Sequence, residues 1–303
     1  MRRYLVFTAG ILFLALLSWG AAQQPPAMQL ILLGTGYPYP NPERGGPSCA
    51  VVVGGRLFVV DAGRGTVMRL AALGNPWSHL EAVFLTHLHS DHYDALPDLF
   101  HCSWEFGKKQ PFQLYGPKGT QTVADGILQF YDPDIRIRRD LTEKLSPEGA
   151  KIDVHEIQEG VVYEKPGEVK ITAFLVDHKP VEPAFGYRFD AGKNSIVISG
   201  DTRPSPNLIR FAEGADILVH EAYVGGSSSA SGARWSIYDY HTSAREAGEI
   251  AAKAKVKILV LTHLIPASAT EQDFLDEAKK TFNGKIIVGR DLMSIKPSES
   301  AAK

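Results

Sequence analysis

Residues 82–92 read Ala82-Val83-Phe84-Leu85-Thr86-His87-Leu88-His89-Ser90-Asp91-His92. The apolar opening predicts a short buried strand. Three histidines and an aspartate follow it within six residues. Imidazole and carboxylate side chains suit zinc, and also manganese or iron. A lone histidine after a strand is usually a core or turn residue. Four ionisable groups on one tight turn would repel or desolvate each other unless a cation held them. The stretch therefore reads as a cation-binding loop at a strand end.

The same placement recurs further along the chain. Val176 leads into Asp177-His178, Ile196–Ser199 into Gly200-Asp201-Thr202, and Ile258–Thr262 into His263. If the strands share one end of a sandwich, these loops meet in one cleft. Around them, strand patterns fall at 28–33, 49–53, 57–60, 151–157, 169–176, 185–189, 195–198, 216–219, 257–261 and 285–288. Helical patterns fall at 65–73, 120–130, 207–212, 243–254 and 271–281. Strands and helices in both halves predict an α/β (α+β) fold: a four-layered αββα sandwich with two sheets face to face. Loops at 36–47, 97–107 and 223–240 would wall the cleft. They carry Tyr37, Tyr39, Trp104, Tyr223, Trp235 and Tyr238, which would suit an aryl group.

Composition narrows the class. The chain has 303 residues, 44% hydrophobic and 22% charged, which is globular rather than disordered or fibrous. Its net charge of -2 offers no global pull toward nucleic acid. Two cysteines, Cys49 and Cys102, exclude a disulfide-rich scaffold. Residues 1–22 have a basic start (Arg2, Arg3), an apolar run and a small-residue end, the pattern of an export signal. Cleavage after Ala22 would leave one domain, 23–303, of net charge 30 − 34 = -4, in the periplasm or secreted. The membrane would be met only through that signal during export.

With these motifs in place, the chain resembles the metallo-β-lactamase superfamily. The resemblance rests on Leu33-Gly34-Thr35-Gly36, Asp61–Thr66, Thr86–His92, Tyr115-Gly116-Pro117, Phe185–Arg188, Ser199–Thr202, His220-Glu221-Ala222 and Leu261-Thr262-His263. Within the superfamily it is similar to the ribonuclease Z-like proteins and, nearer still, through Gly45–Ser48 and Ser199–Pro204, to the arylsulfatase-like branch. The resemblance implies two divalent cations, zinc first, with manganese or iron as alternatives. His87, His89 and His178 would hold one, and Asp91, His92 and His263 the other. Asp201 would bridge them. A water shared by the pair would ionise near neutral pH. The resemblance also implies that His241 protonates the leaving group and that Glu221 orients it. Asp91 joins them as a residue serving catalysis as well as ligation. Asp61 is expected to brace the ligands rather than bind metal.

The expected reaction is hydrolysis of a sulfate or phosphodiester, with a small anionic or aromatic ester as substrate and no nucleic acid partner. Lactone or β-lactam hydrolysis on the same metals is the alternative acyl chemistry. A tRNA-processing ribonuclease is disfavoured on three grounds. Only ten residues separate Arg188 from Ser199, too few for a tRNA-gripping arm, the mature chain is acidic, and it carries an export signal. A non-catalytic metal-binding protein is opposed by the complete ligand set.

Overall fold

The computed structural model describes residues 27–74, 76–225 and 236–297. The export segment read at 1–22, the Gly/Ser residues 226–232 and Trp235 lie outside the described residues.

The first half forms β1 (Met28–Gly34), β2 (Ser48–Val53), β3 (Arg56–Val60), α1 (Thr66–Ala72), β4 (Leu80–Phe84), α2 (Leu96–Glu105), β5 (Phe112–Gly116), α3 (Thr120–Arg136) and β6 (Ile152–Glu156). The second forms β7 (Gly160–Lys165), β8 (Val169–Leu175), β9 (Phe185–Ala191), β10 (Asn194–Ile198), α4 (Pro206–Ala212), β11 (Ile217–Tyr223), α5 (Ala244–Lys253), β12 (Ile258–Ile265), α6 (Glu271–Lys279), β13 (Lys285–Val288) and β14 (Ser294–Ile295).

Two seven-stranded sheets result, ordered β14-β1-β2-β3-β4-β5-β6 and β13-β12-β11-β10-β9-β8-β7. In each, four neighbouring strands run parallel: β3 to β6 in the first, β10 to β13 in the second. Parallel strands are buried on both faces, so they read as continuous apolar runs. The alternation shows which face goes where. In β3, Phe58 and Val60 point to the facing sheet, Leu57 and Val59 to the helices. In β12, Ile258 and Val260 point to the facing sheet, Leu259 and Leu261 to the helices. Phe58, Phe84, Tyr187 and Phe189 interlock between the sheets with ring centroids 5.3–6.4 Å apart. Helices α1–α3 cover the outside of one sheet and α4–α6 the outside of the other. The four-layered αββα sandwich read from the sequence is the fold observed.

The differences are local. Residues 97–107 were expected to be a loop but belong mostly to α2. Pro97 in its first turn fills a position where a missing N–H costs nothing. Leu96, Leu99, Phe100, Ser103 and Trp104 recur at helical spacing on the buried face. Helix α3 runs past the expected stop at Phe130 and carries Pro133 near its end. Strands β5, β7 and β14 have no counterpart among the expected elements. Each is short, and β7 alternates half-buried with exposed positions at the sheet edge. Both cysteines are free: Cys49 points between the sheets, and Cys102 packs under the helices of the first.

Candidate metal centre

Parallel strands gather ligands at their carboxyl ends, and the strand ends build this site. Asp61 follows β3, the His87–His92 loop follows β4, His178 follows β8 and Asp201 follows β10. His263 lies inside β12, at a register shift. Glu221 pairs with Thr262 and Ala222 with Leu264, so His263 is the extra residue of a bulge. Its φ is 47°, and the bulge turns the imidazole to the sandwich end. Gly200 has φ 61°, and a Cβ there would lie 2.7 Å from the Phe185 carbonyl oxygen. Only glycine lets the chain turn there and present Asp201.

Two groups of donors converge. In the first, His87 Nε2 and His178 Nε2 lie 3.1 Å and 3.3 Å from His89 Nδ1. In the second, Asp91 Oδ2 lies 3.7 Å from His92 Nε2 and 3.6 Å from His263 Nε2. Asp201 Oδ2 stands between the groups. It is 3.8 Å and 4.0 Å from His87 and His178, and 3.2 Å and 3.3 Å from His92 and His263. All seven expected ligands are thus brought together, and all but His89 are buried.

The arrangement fits divalent cations. A tetrahedral shell with bonds of about 2.0–2.2 Å sets its donors roughly 3.3 Å apart, close to the spacings here. Asp91 Oδ2 and His263 Nε2 are buried and have no hydrogen-bond partner in the protein, which is costly unless a cation takes them up. Distal nitrogens are braced from outside. His87 Nδ1 lies 3.0 Å from Thr86 Oγ1, His178 Nδ1 2.9 Å from the Tyr240 carbonyl, and His92 Nδ1 2.8 Å from Asp61 Oδ2. Asp61 also accepts from the Thr86 N–H and hydroxyl, as a brace rather than a ligand. Burial holds His87 well below the usual imidazole range and His178 down to about 4, against the pull of Asp201. Both are neutral imidazoles, the form that can bind a cation. Burial also opposes charge on His92, but Asp201 and Asp61 hold it well above its usual value. Burial likewise works against an ionised Asp201, yet His263 and His92 hold it well below the carboxylate range.

His241 stands beside both groups, 5.2 Å from His178 and 5.2 Å from His263 between ring centroids. Its Nδ1 donates to Glu221 Oε1 at 2.9 Å, and the same oxygen accepts from the Thr202 N–H at 2.9 Å. Thr242 donates to the Thr202 carbonyl, and Ser243 with Glu246 caps α5, so the backbone on the C-terminal side of His241 is fixed. Burial opposes its protonation, but the charge and hydrogen bond of Glu221, with Asp201, raise it to about 9. Burial pushes Glu221 up against the pull of His241.

Other residues fall elsewhere. Trp104 was expected on the cleft wall. It is buried under α2, its indole donating to the Ser146 carbonyl at 2.9 Å. Truncating it would cost about 3–5 kcal/mol of stability and say nothing about a substrate. Tyr37 does pair with Tyr39 on its loop, and Tyr223, at the end of β11, pairs with Tyr238. Arg203 binds Asp177 at 2.8 Å. Two contributors were not foreseen. Tyr240 acts through a backbone carbonyl, which no side-chain motif reports. Asp291 accepts from the Thr35 and Gly45 N–H groups and ties the glycine loop to the body, and no neighbouring pattern marks it.

A family model for the beta-lactamase superfamily domain matches residues 56–264. The chain belongs to this superfamily. Its fold is that of the metallo-β-lactamases, as in the metallo-beta-lactamase fold protein YhfI from Bacillus subtilis (TM-score 0.71, 22% identity, 89% of this chain and 99% of that one). Human tRNase Z, short form, shares it (TM-score 0.67, 23% identity, 88% and 98%). Among curated relatives, the ribonuclease Z of Mycobacterium marinum is 39% identical over 274 residues, 88% of this chain and 97% of that protein. That of Mycobacterium bovis is 39% identical over 276 residues, 88% and 96%.

These relatives correct two expectations. The sulfate or aryl-ester hydrolase reading gives way, because the matched relatives are named for a ribonuclease. The small-ester partner without nucleic acid gives way with it. The missing arm does not discriminate: a protein matched over 97% of its length has little room for an arm this chain lacks. Net charge averages a whole surface and does not exclude a local contact to RNA. The glycines taken as arylsulfatase-like markers have a packing reason. A Cβ on Gly46 would lie 2.7 Å from the Arg64 N, where two site loops touch.

Proposed function

We propose that the chain is a metal-dependent ribonuclease of the ribonuclease Z type, hydrolysing phosphodiester bonds of RNA. The observation that carries this reading is the 39% identity to a ribonuclease Z along nearly that protein's whole length. The site chemistry agrees with it. Divalent cations, zinc before manganese or iron, would activate a water and offset charge on the phosphoryl oxygens.

The chain's own residues then divide the work. His87, His89 and His178 give neutral nitrogen donors to one side, and Asp91, His92 and His263 give a carboxylate and two imidazoles to the other. Asp201 reaches both. His241 also lies within donor reach of Asp201 and His263, but its hold on Glu221 reads as that of a proton donor rather than a ligand. With Nδ1 held by Glu221, the proton it can give sits on Nε2. A ribose oxygen is a poor leaving group and takes a proton as its bond to phosphorus breaks, which is the task of His241. Glu221 keeps the imidazole charged until then.

The test uses the full chain loaded with zinc, with Asp201→Ala as blank. Substrates are a tRNA precursor with a 3′ extension, an unstructured RNA of equal length, and bis-p-nitrophenyl phosphate. Cleavage of the precursor at one position is the expected result. A protein that binds two zinc ions and splits only the small diester overturns the RNA reading. A separate proposal is that residues 1–22 direct export to the periplasm or beyond. Fractionation of a bacterial host with N-terminal sequencing should find a chain beginning at Gln23; an intact Met1 in the cytoplasm would refute it.

A further inference from the structure

Against the donor cluster, reaching between the two sheets, lies a cavity of about 20 Å³ lined by His92, Asp201, Val219, Glu221, Thr262 and His263 among others. Three buried polar atoms on its lining residues have no partner in the protein: Glu221 Oε2, Thr262 Oγ1 and His263 Nδ1. The strand register explains the meeting. Glu221 and Thr262 are direct cross-strand partners on β11 and β12, and His263 is the bulged residue next to them. In β11, Val219 faces the opposite sheet, so Glu221, two residues on, shares that side. In β12, Val260 does the same for Thr262.

We propose that this cavity holds one ordered water that joins Glu221, Thr262 and His263, and that Thr262 is a positioning residue for His263. The proposal rests on the cation-site reading, not on the RNA reading. A water needs roughly 10–15 Å³ of such space and two to four polar partners, and the cavity supplies both. The hydrogen bonds balance. The water donates to Glu221 Oε2, accepts from His263 Nδ1–H, and exchanges its third bond with the Thr262 hydroxyl. The comparison with the other ligands points the same way. Among the buried ligand imidazoles, His87, His178 and His92 each have a protein group on the distal nitrogen, whereas His263 has none. Metal-ligating imidazoles almost always have such a partner, and water serves as one.

The consequence is a shared carboxylate. One oxygen of Glu221 holds His241, and the other, through the water, sets the tautomer of His263. Nε2 of His263 is then the bare nitrogen that faces Asp91 and Asp201. The proton donor and one ligand group are thereby tied to the same buried acid.

Thr262→Val keeps the shape and removes the hydroxyl, and Thr262→Ser restores it. The readout is zinc affinity of the full chain, titrated against a chelating dye, which does not depend on any substrate. The valine variant should weaken the second of two zinc ions about tenfold and leave the first unchanged, with serine returning the wild-type value. Two zinc affinities unchanged in the valine variant overturn the proposal. Should that variant not fold, diffraction at better than 1.5 Å from the zinc-loaded wild-type chain decides. A water within hydrogen-bond reach of all three atoms supports the proposal, and a direct protein partner on His263 Nδ1 refutes it. Absence of RNA cleavage alters neither readout.

Discussion

The loop after β4 places His87, His89, Asp91 and His92 within six consecutive positions, while the second sheet delivers His178, Asp201, His241 and His263 from four separate segments. The first set is held locally. One carboxylate, Asp61, fixes both Thr86 and His92 from the neighbouring strand. The second set is held by topology: each residue is placed by its own strand end, bulge or helix cap. A register slip of one residue would send such a side chain to the opposite face. The local half of the site is therefore a property of one turn, and the dispersed half a property of the whole sheet.

Asp201 is where the two halves meet, and its loss should have the largest effect. Its Oδ2 lies within 4.0 Å of nitrogens from both groups. In Asp201→Ala the four imidazoles keep their places but lose the charge between them. Activity should fall roughly a thousandfold or more, about 4 kcal/mol of barrier. Zinc binding should drop from two ions to one or none while circular dichroism stays as in the wild type. Two tightly bound zinc ions in the variant would show that the halves are independent.

The same contrast explains what was legible in the sequence. The His87–His92 stretch is dense enough that no other chemistry accounts for it, and the apolar run before it gives the strand. His178, Asp201 and His263 could be picked out because each also follows an apolar run. Helix α2 was hidden because Pro97 and a short apolar pattern read as a loop, and with it went the reading of Trp104 as a cleft residue. His263 sits inside β12 rather than after it, because a bulge leaves no mark in residue type. Substrate was least legible, since it depends on surfaces beyond the ligands while fold and metal leave it open.

His241 sharpens the comparison, because it comes from the dispersed half yet is not read as a ligand. His241→Ala should slow RNA cleavage about 10²–10⁴-fold, the range for losing a positioned acid. Hydrolysis of bis-p-nitrophenyl phosphate should fall by less than about tenfold, since nitrophenolate leaves without a proton. Equal losses on both substrates would assign His241 to holding the site rather than to protonation.

Asp61 tests the local half. An asparagine keeps the volume but presents an NH2 group, a donor, in place of one accepting oxygen. Toward His92 Nδ1, that group forces the imidazole proton onto Nε2, the nitrogen facing Asp201. Turned the other way, it opposes the Thr86 N–H. The first orientation spoils His92 as a ligand and the second loosens the loop that carries it, so Asp61→Asn should weaken one zinc ion about 10–100-fold. Competition with a chelator should show the His87, His89 and His178 group less affected. Equal weakening of both ions would mean that the loop moves as one body.

The smallest effect belongs to Glu221→Gln, and its sign follows from the geometry. Glu221 raises His241 through its charge and hydrogen bond, against burial, to about 9. An acid must be protonated to act, so activity falls as pH rises through the His241 value. The glutamine side-chain oxygen can still accept from Nδ1, but the negative charge is gone. The alkaline limb should then move to lower pH by about one unit, equivalent to roughly 1.4 kcal/mol. The pH profile of RNA cleavage measures it. Below the shifted limb the variant should keep most of its rate, because the imidazole is still held in place. An unmoved limb with a uniformly lower rate would mean that Glu221 only orients the ring, and that the dispersed half depends on position there rather than on charge.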